Sequence, residues 1–252
     1  MTKAKIELTN VSVSYFLKKS GNSQKALEKG SVGAQILVGK RYLEVAALKN
    51  VSLTINEGER VGLVGINGSG KTTLLKLCAG ALSVQSGKLE IVGNVSPQFS
   101  LGSGIKSTLS GRQNARLKCL YMGVPQSRIL DYVEEVKRLS GLGGYFELPI
   151  QSYSAGMKSR FVMSLLPLVR GEILIMDEWI NATDTAVDSI QQRLISKAKI
   201  LLLASHSRAV LETWVERLIW LDRGELRAVG PVSEVYDAYH EYMLANKAAA
   251  KK

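Results

Sequence analysis

"RVGLVGINGSGKTTLLKLC", Arg60 to Cys78, decides the fold. "RVGLV" is a short apolar run that reads as a buried strand. Gly65 to Thr73 follow it with the spacing G-x-x-x-x-G-K-[ST], and from Thr72 the pattern "TTLLKLCAGAL" turns helical. Strand, glycine-rich loop and helix form the context in which that spacing binds phosphate. The glycines let successive backbone N–H groups face one anion, and the helix N-terminus adds a favourable dipole. Gly65, Asn67, Gly68, Ser69 and Gly70 are therefore expected to wrap a nucleotide's phosphates. Lys71 is expected to reach the β- and γ-phosphates, the Thr72 hydroxyl to ligate Mg²⁺, and Thr73 to touch the α-phosphate.

Further along the chain, "ILIMDE" delivers Asp177 to the end of an apolar strand, where ligands bind in parallel sheets. Asp177 is expected to hold the Mg²⁺ through water. Glu178 follows directly, and a carboxylate there can polarise an attacking water. Two adjacent acids on an apolar strand are costly to bury unless they are paired or bind metal. In "ASHS", His206 stands just after the apolar strand "ILLLA", within reach of a γ-phosphate and that water. His240 lies on the last amphipathic helix and reads as a surface residue.

The rest of the chain supplies an α/β frame. "KIELTNVSVSY", "ALKNVSLTI", "ERVGLVG", "GKLEIVG", "EILIMDE" and "ILLLAS" read as strands, and "RLIWLDRGELRAVG" as a hairpin. Arg112 to Leu142 is helical, with Pro125 as a break or a first-turn proline. "SRFVMSLLPLVR" and "VSEVYDAYHEYMLAN" are helical as well. Strands alternating with helices imply a mostly parallel sheet covered by helices. Residues 17–45 are polar and bear Gly and Ser. They read as a surface insertion with room for one short helix. The tail "KAAAKK" is expected to fray.

Composition narrows the class. The 252 residues are 46% hydrophobic and 22% charged, with no apolar run of membrane-spanning length and no signal-peptide core, so a soluble cytosolic chain is expected. Cys78 and Cys119 sit in apolar helical contexts and read as buried, reduced thiols. The net charge is +11, but it is scattered and few aromatics interleave with it. No nucleic-acid platform is expected. A solvated face, or one near an anionic membrane, fits better.

The order of Gly65–Thr73, Ser154-Ala155-Gly156, Asp177-Glu178, Asp184 and Ser205-His206 resembles the ATP-binding subunits of ABC transporters over most of the chain. The resemblance implies a P-loop NTPase core of the ABC ATPase type: α/β, with a mostly parallel sheet, an antiparallel β subdomain and an α-helical subdomain. One domain, 1–252, is expected. Residues 1–95 and 171–230 form its core, 17–45 the insertion, 96–170 the Q-loop and helical signature subdomain, and 231–252 the closing helix and tail. It also implies ATP and Mg²⁺ as ligands and a head-to-tail dimer with a second copy. Ser154, Ala155 and the Gly156 backbone of one copy would face the γ-phosphate held by the other, with Asp184 at the dimer interface. The family's Leu-Ser-Gly-Gly-Gln pattern reads "YSAGMKS" here, with Tyr153 in place of leucine. Gln98 or Ser100 fills the glutamine position that touches Mg²⁺. Tyr15 or Tyr42 is the aromatic that stacks on adenine.

"LSGRQN", "YSAGMKSRF" and "MDEWINATD" are similar to the ATPase subunits that export O-antigen, teichoic acid or capsular polysaccharide. That similarity implies ATP hydrolysis coupled to transport, with Glu178, His206 and Lys71 catalytic. The partner would be a dimeric integral-membrane permease that places the chain on the cytoplasmic face of the membrane. The sequence ends soon after the last helix, so the C-terminal carbohydrate-binding domain of some members is not expected. A non-transport ABC ATPase acting on nucleic acid or ribosomes is the alternative.

Overall fold

The computed structural model describes residues 2–18, 35–38, 42–99, 102–166, 171–177 and 195–249. The chain divides into two compact units, Met1–Pro97 with Glu172–Glu178 and Lys199–Lys252, and Gln98–Gly171 with Trp179–Ala198. The described strands are β1 (Lys5–Lys18), β2 (Gln35–Val38), β3 (Tyr42–Asn56), β4 (Arg60–Val64), β5 (Ser86–Val92), β6 (Val95–Gln98), β7 (Ile173–Asp177), β8 (Ile200–Ala204), β9 (Arg217–Asp222) and β10 (Glu225–Pro231). The described helices are α1 (Lys71–Cys78), α2 (Gly111–Tyr121), α3 (Ile129–Ser140), α4 (Ala155–Ser164), α5 (Arg208–Trp214) and α6 (Val232–Ala249).

The first unit holds two sheets. One has the order β2-β3-β1-β5 and its pairs are antiparallel. Its alternating residues put one face inward: Ile6 pairs with Ile55 and Leu8 with Leu53, all four buried. The other has the order β10-β9-β4-β8-β7-β6. Strands β7, β8, β4 and β9 run parallel, and β10 returns antiparallel on β9. Strand β8, and β7 as far as Met176, are apolar throughout because a parallel sheet is covered on both faces. Arg217 ties the sheets together, donating to the Glu59 carboxylate and, at 2.9 Å, to the Thr54 carbonyl.

In the second unit, α2, α3 and α4 enclose a separate core. Phe161 lies 6.1 Å from Phe146 and 6.2 Å from Tyr153, ring centre to ring centre, among Ala115, Val133 and Val136. "LSGRQN" is the start of α2. Ser110 Oγ accepts from the Gln113 amide at 3.2 Å and Gln113 Oε1 accepts from the Ser110 amide at 2.9 Å, a reciprocal capping box.

The run from Arg112 to Leu142 is two helices, parted as expected at Pro125, which opens a 3₁₀ turn at Gln126–Arg128. Other sequence expectations change. Helix α1 stops at Cys78, short of the expected Leu82, and Gly80 follows at φ 69°. The margins of the 17–45 insertion are strand: β1 reaches Lys18, β3 starts at Tyr42, and β2 joins it. Cross-strand pairing, which periodicity along one strand does not reveal, extends those strands. Strand β6 and helix α5 were not foreseen; each is too short to show a period. Ser100, Glu178, Asp184, the centre of the insertion and the last three residues lie outside the described residues.

Candidate functional site

Strand register assembles the site. Leu63 of β4 pairs with Ala204 of β8, and Ala204 pairs with Asp177 of β7. The three strands therefore end level, and the residues just beyond share one edge of the sheet. These are the loop from Gly65, the Asp177 carboxylate, and Ser205-His206. Parallel strands always bring their C-terminal ends together in this way.

The loop itself is tightly built. Gly68 has φ 81° and Gly70 φ 108°, both in the left-handed region. A Cβ at Gly70 would overlap the Ala47 carbonyl of β3, so only glycine passes there. Among the described residues no side chain caps α1 at Gly70, so its first-turn amides can serve an anion. Lys71 is 6% exposed, and its Nζ donates to the Gly65 carbonyl at 2.7 Å and the Ile66 carbonyl at 3.3 Å.

A cavity of about 360 Å³ opens above this loop, lined by Tyr15, Val45, Ala47, Asn67, Gly68, Gly70, Lys71, Thr72 and Thr73. That volume suits a small-molecule ligand. One end is cationic and rich in amides. The other is aromatic and apolar, which matches the two ends of a nucleotide. Tyr15 lines it, with its hydroxyl 3.3 Å from Thr73 Oγ1. Tyr42 sits three pairs further out, opposite Lys18, and is not in the lining. Val45, paired with Tyr15, and Ala47 were missed from the sequence. Only the β1–β3 register reveals them.

The Thr72 hydroxyl donates to Asp177 Oδ2 at 3.0 Å. The hydroxyl and the carboxylate are oxygen donors held side by side, a donor set that fits the ion with Asp177 reaching it through a bound water. Ser205 is buried beside them and its Oγ accepts from the Ser207 amide at 3.1 Å, while His206 is exposed. Gln98 is buried at the end of β6.

The second group of expected residues lies in the other unit. Ser154 caps α4, its Oγ accepting from the Met157 amide at 3.2 Å. Ser154, Ala155 and Gly156 are exposed. A Cβ at Gly156 would meet no described atom within 4 Å, so packing among the described residues does not require glycine there. Tyr153, the residue that departs from the family pattern, has a structural place. It is buried, and its hydroxyl donates to the Tyr145 carbonyl at 2.8 Å, where Gly111 leaves room for it.

Fold and loop geometry together define the P-loop class of α/β nucleotide-binding folds. Comparison with known proteins narrows the class. The family model for "ABC transporter" matches residues 48–181, and the chain belongs to the ABC transporter family. The chain is 34% identical over 226 residues to the teichoic acids export ATP-binding protein TagH of Lactococcus lactis, covering 87% of this chain and 48% of that protein. It is 34% identical over 201 residues to the O-antigen export system ATP-binding protein RfbB of Myxococcus xanthus, covering 78% of this chain and 46% of that protein. With the protein of that name from Klebsiella pneumoniae it shares 32% identity over 83% of this chain and 85% of that one. The chain thus spans about half the length of the first two relatives. Among solved structures, the ATP-binding cassette MJ0796, a dimer in a post-hydrolysis state bound to ADP and Pi, has a TM-score of 0.65 at 20% identity, covering 90% of this chain and 98% of that one. That likeness concerns the fold. Among the described residues no helix is long and apolar enough to cross a membrane.

Proposed function

We propose that this chain is the ATP-binding and ATP-hydrolysing subunit of an ABC exporter that moves lipid-linked polysaccharide, of the O-antigen, teichoic acid or capsule kind, across the cytoplasmic membrane. Two copies act on a dimeric integral-membrane permease at its cytoplasmic face. The glycan class is supported by the names of the relatives. ATP hydrolysis is supported by one observation above the others: strand register gathers the phosphate loop, the Thr72–Asp177 pair and Ser205-His206 at one sheet edge beside a nucleotide-sized cavity.

In this reading Tyr15 and the neighbouring apolar wall take the adenine, and the amides of Gly68 to Thr73 take the phosphates. Lys71 exchanges its two loop carbonyls for β- and γ-phosphate oxygens. Thr72, and Asp177 through a water, would hold Mg²⁺, with Gln98 or Ser100 as a further ligand; when bound, the ion neutralises phosphate charge. Glu178 orients a water for in-line attack on the γ-phosphorus, and His206 holds the γ-phosphate. Ser154, Ala155 and Gly156 of the second copy supply another helix N-terminus to the same phosphate, and Asp184 lies where the copies meet. A glycine at the exposed start of α4, which no packing among the described residues demands, fits that role. Electrostatic positioning then supplies most of the rate.

Glu178→Gln tests the assignment. ATP binding should persist while hydrolysis slows by ~10²–10⁴-fold, the usual worth of a positioned general base. Wild-type turnover in the variant would remove Glu178 from the mechanism. Co-purification of a stoichiometric integral-membrane protein would support transport, and co-purifying nucleic acid would favour the non-transport alternative.

A further inference from the structure

The C-terminal helix is wired to the phosphate loop through the turn between β9 and β10. Asp222 pairs with Glu225, which leaves Arg223 and Gly224 as a two-residue turn. Both have positive φ, 51° and 85°, the geometry of a tight type I′ hairpin. The turn is held on both sides. The Gly224 amide donates to the Ser69 carbonyl at 3.0 Å, and the Gly224 carbonyl accepts from the Lys49 amide of β3 at 2.8 Å. A Cβ at Gly224 would crowd the Ala47 carbonyl and the Leu48 backbone, so the fit is close.

The bond to Ser69 bears on nucleotide binding. In a planar trans peptide the carbonyl of Ser69 and the N–H of Gly70 point in opposite directions. Fixing that carbonyl against the hairpin therefore fixes the Gly70 N–H, and Gly70 lines the cavity.

The turn is held in its own place by α6. Tyr242 Oη donates to Asp222 Oδ2 at 3.0 Å, and among the described residues the buried Oδ1 has no partner. The Tyr242 ring is clasped: it lies 5.1 Å from Trp220 between ring centres, and the Arg227 guanidinium lies 5.6 Å from its centre and 5.8 Å from that of Trp220. A ring so confined aims its hydroxyl at one acceptor.

We infer that Tyr242 is a positioning residue for nucleotide binding, acting through Asp222, the Arg223-Gly224 turn and the Ser69 carbonyl on the phosphate loop. The inference rests on the reading of the cavity as a nucleotide site. Removing the hydroxyl breaks the bond that anchors Asp222 to α6, so the turn loses its brace and the Ser69–Gly70 peptide follows.

The test measures Mg-ATP affinity and steady-state hydrolysis on the full chain. Tyr242→Phe should weaken binding and raise KM by about three- to tenfold, a loss of up to about 1.4 kcal/mol. The kcat at saturating ATP should stay within about twofold, because the reacting groups are not touched. Tyr239→Phe removes a hydroxyl from the same helix and the same aromatic cluster and should leave KM unchanged. Asp222→Ala should raise KM like Tyr242→Phe, and the double variant should show no further rise, because both act through one bond. An unchanged KM in Tyr242→Phe, additive effects in the double variant, or an equal rise in Tyr239→Phe would each overturn the inference. If the wild-type chain itself failed to bind Mg-ATP, the reading of the cavity would fail instead.

Discussion

The Lys71 ammonium is bonded to the carbonyls of Gly65 and Ile66, so a nearly buried cation is held by the loop around it. An unpartnered charge there would cost several kcal/mol. At the other end of α1, Cys78 is fully buried and burial pushes its thiol up to about 12. Burial raises Cys119 as well. Only the thiolate reacts. Native chain held at pH 8 with iodoacetamide should therefore keep Cys78 unmodified by mass spectrometry, while the same chain in denaturant is alkylated at both cysteines. Rapid native modification of Cys78 would contradict the burial.

Helix α4 separates folding from function. Glycine near a helix start costs up to about 1 kcal/mol relative to alanine, and Gly156 meets no described neighbour that would justify it. Gly156→Ala should accordingly raise the urea midpoint of the isolated chain. If the second copy's phosphate approaches that backbone, the added methyl should also slow ATP hydrolysis by about tenfold or more, since small misplacements in a catalytic site are costly. A variant both more stable and fully active would remove α4 from the site. Helices α2 and α3 are joined by charge. Arg112 contacts Glu134 at 2.6 Å and Glu147 at 2.9 Å, and Lys137 reaches Glu147 at 3.0 Å. The hydrogen bond from Arg112, then that from Lys137, hold the Glu147 carboxyl at about 2, below its ordinary 4.5. A carboxyl lowered on folding stabilises the fold above its unfolded value and loses that contribution as pH falls. Urea midpoints of wild type and Glu147→Gln should therefore differ at pH 7 and converge between pH 4.5 and about 2. A gap that persisted at pH 2 would show that the carboxylate's charge is not what matters.

For the molecule as a whole, what was legible depended on range. The span from Arg60 to Cys78 declared itself because strand, loop and helix are consecutive, and the local spacing carries the chemistry. Asp177 and His206 were legible for the same reason: each closes an apolar strand. The capping box at Ser110 and Gln113 is local too, and its S-x-x-Q spacing is the signal that could have found it. The break between α2 and α3 was legible at Pro125, but the edge strand β6 and the full length of β1 and β3 were not, because pairing with distant residues sets them. Local pattern, then, determined the α/β class, the phosphate loop and the candidate acids. Tertiary structure alone decided that Tyr15 rather than Tyr42 lines the cavity, that Val45 and Ala47 form its wall, that Asp177 meets Thr72 across 105 positions, and that Tyr242 reaches the turn braced on Ser69. The physical reason is that a side chain's neighbours across a sheet are set by register, and register is a property of two strands together.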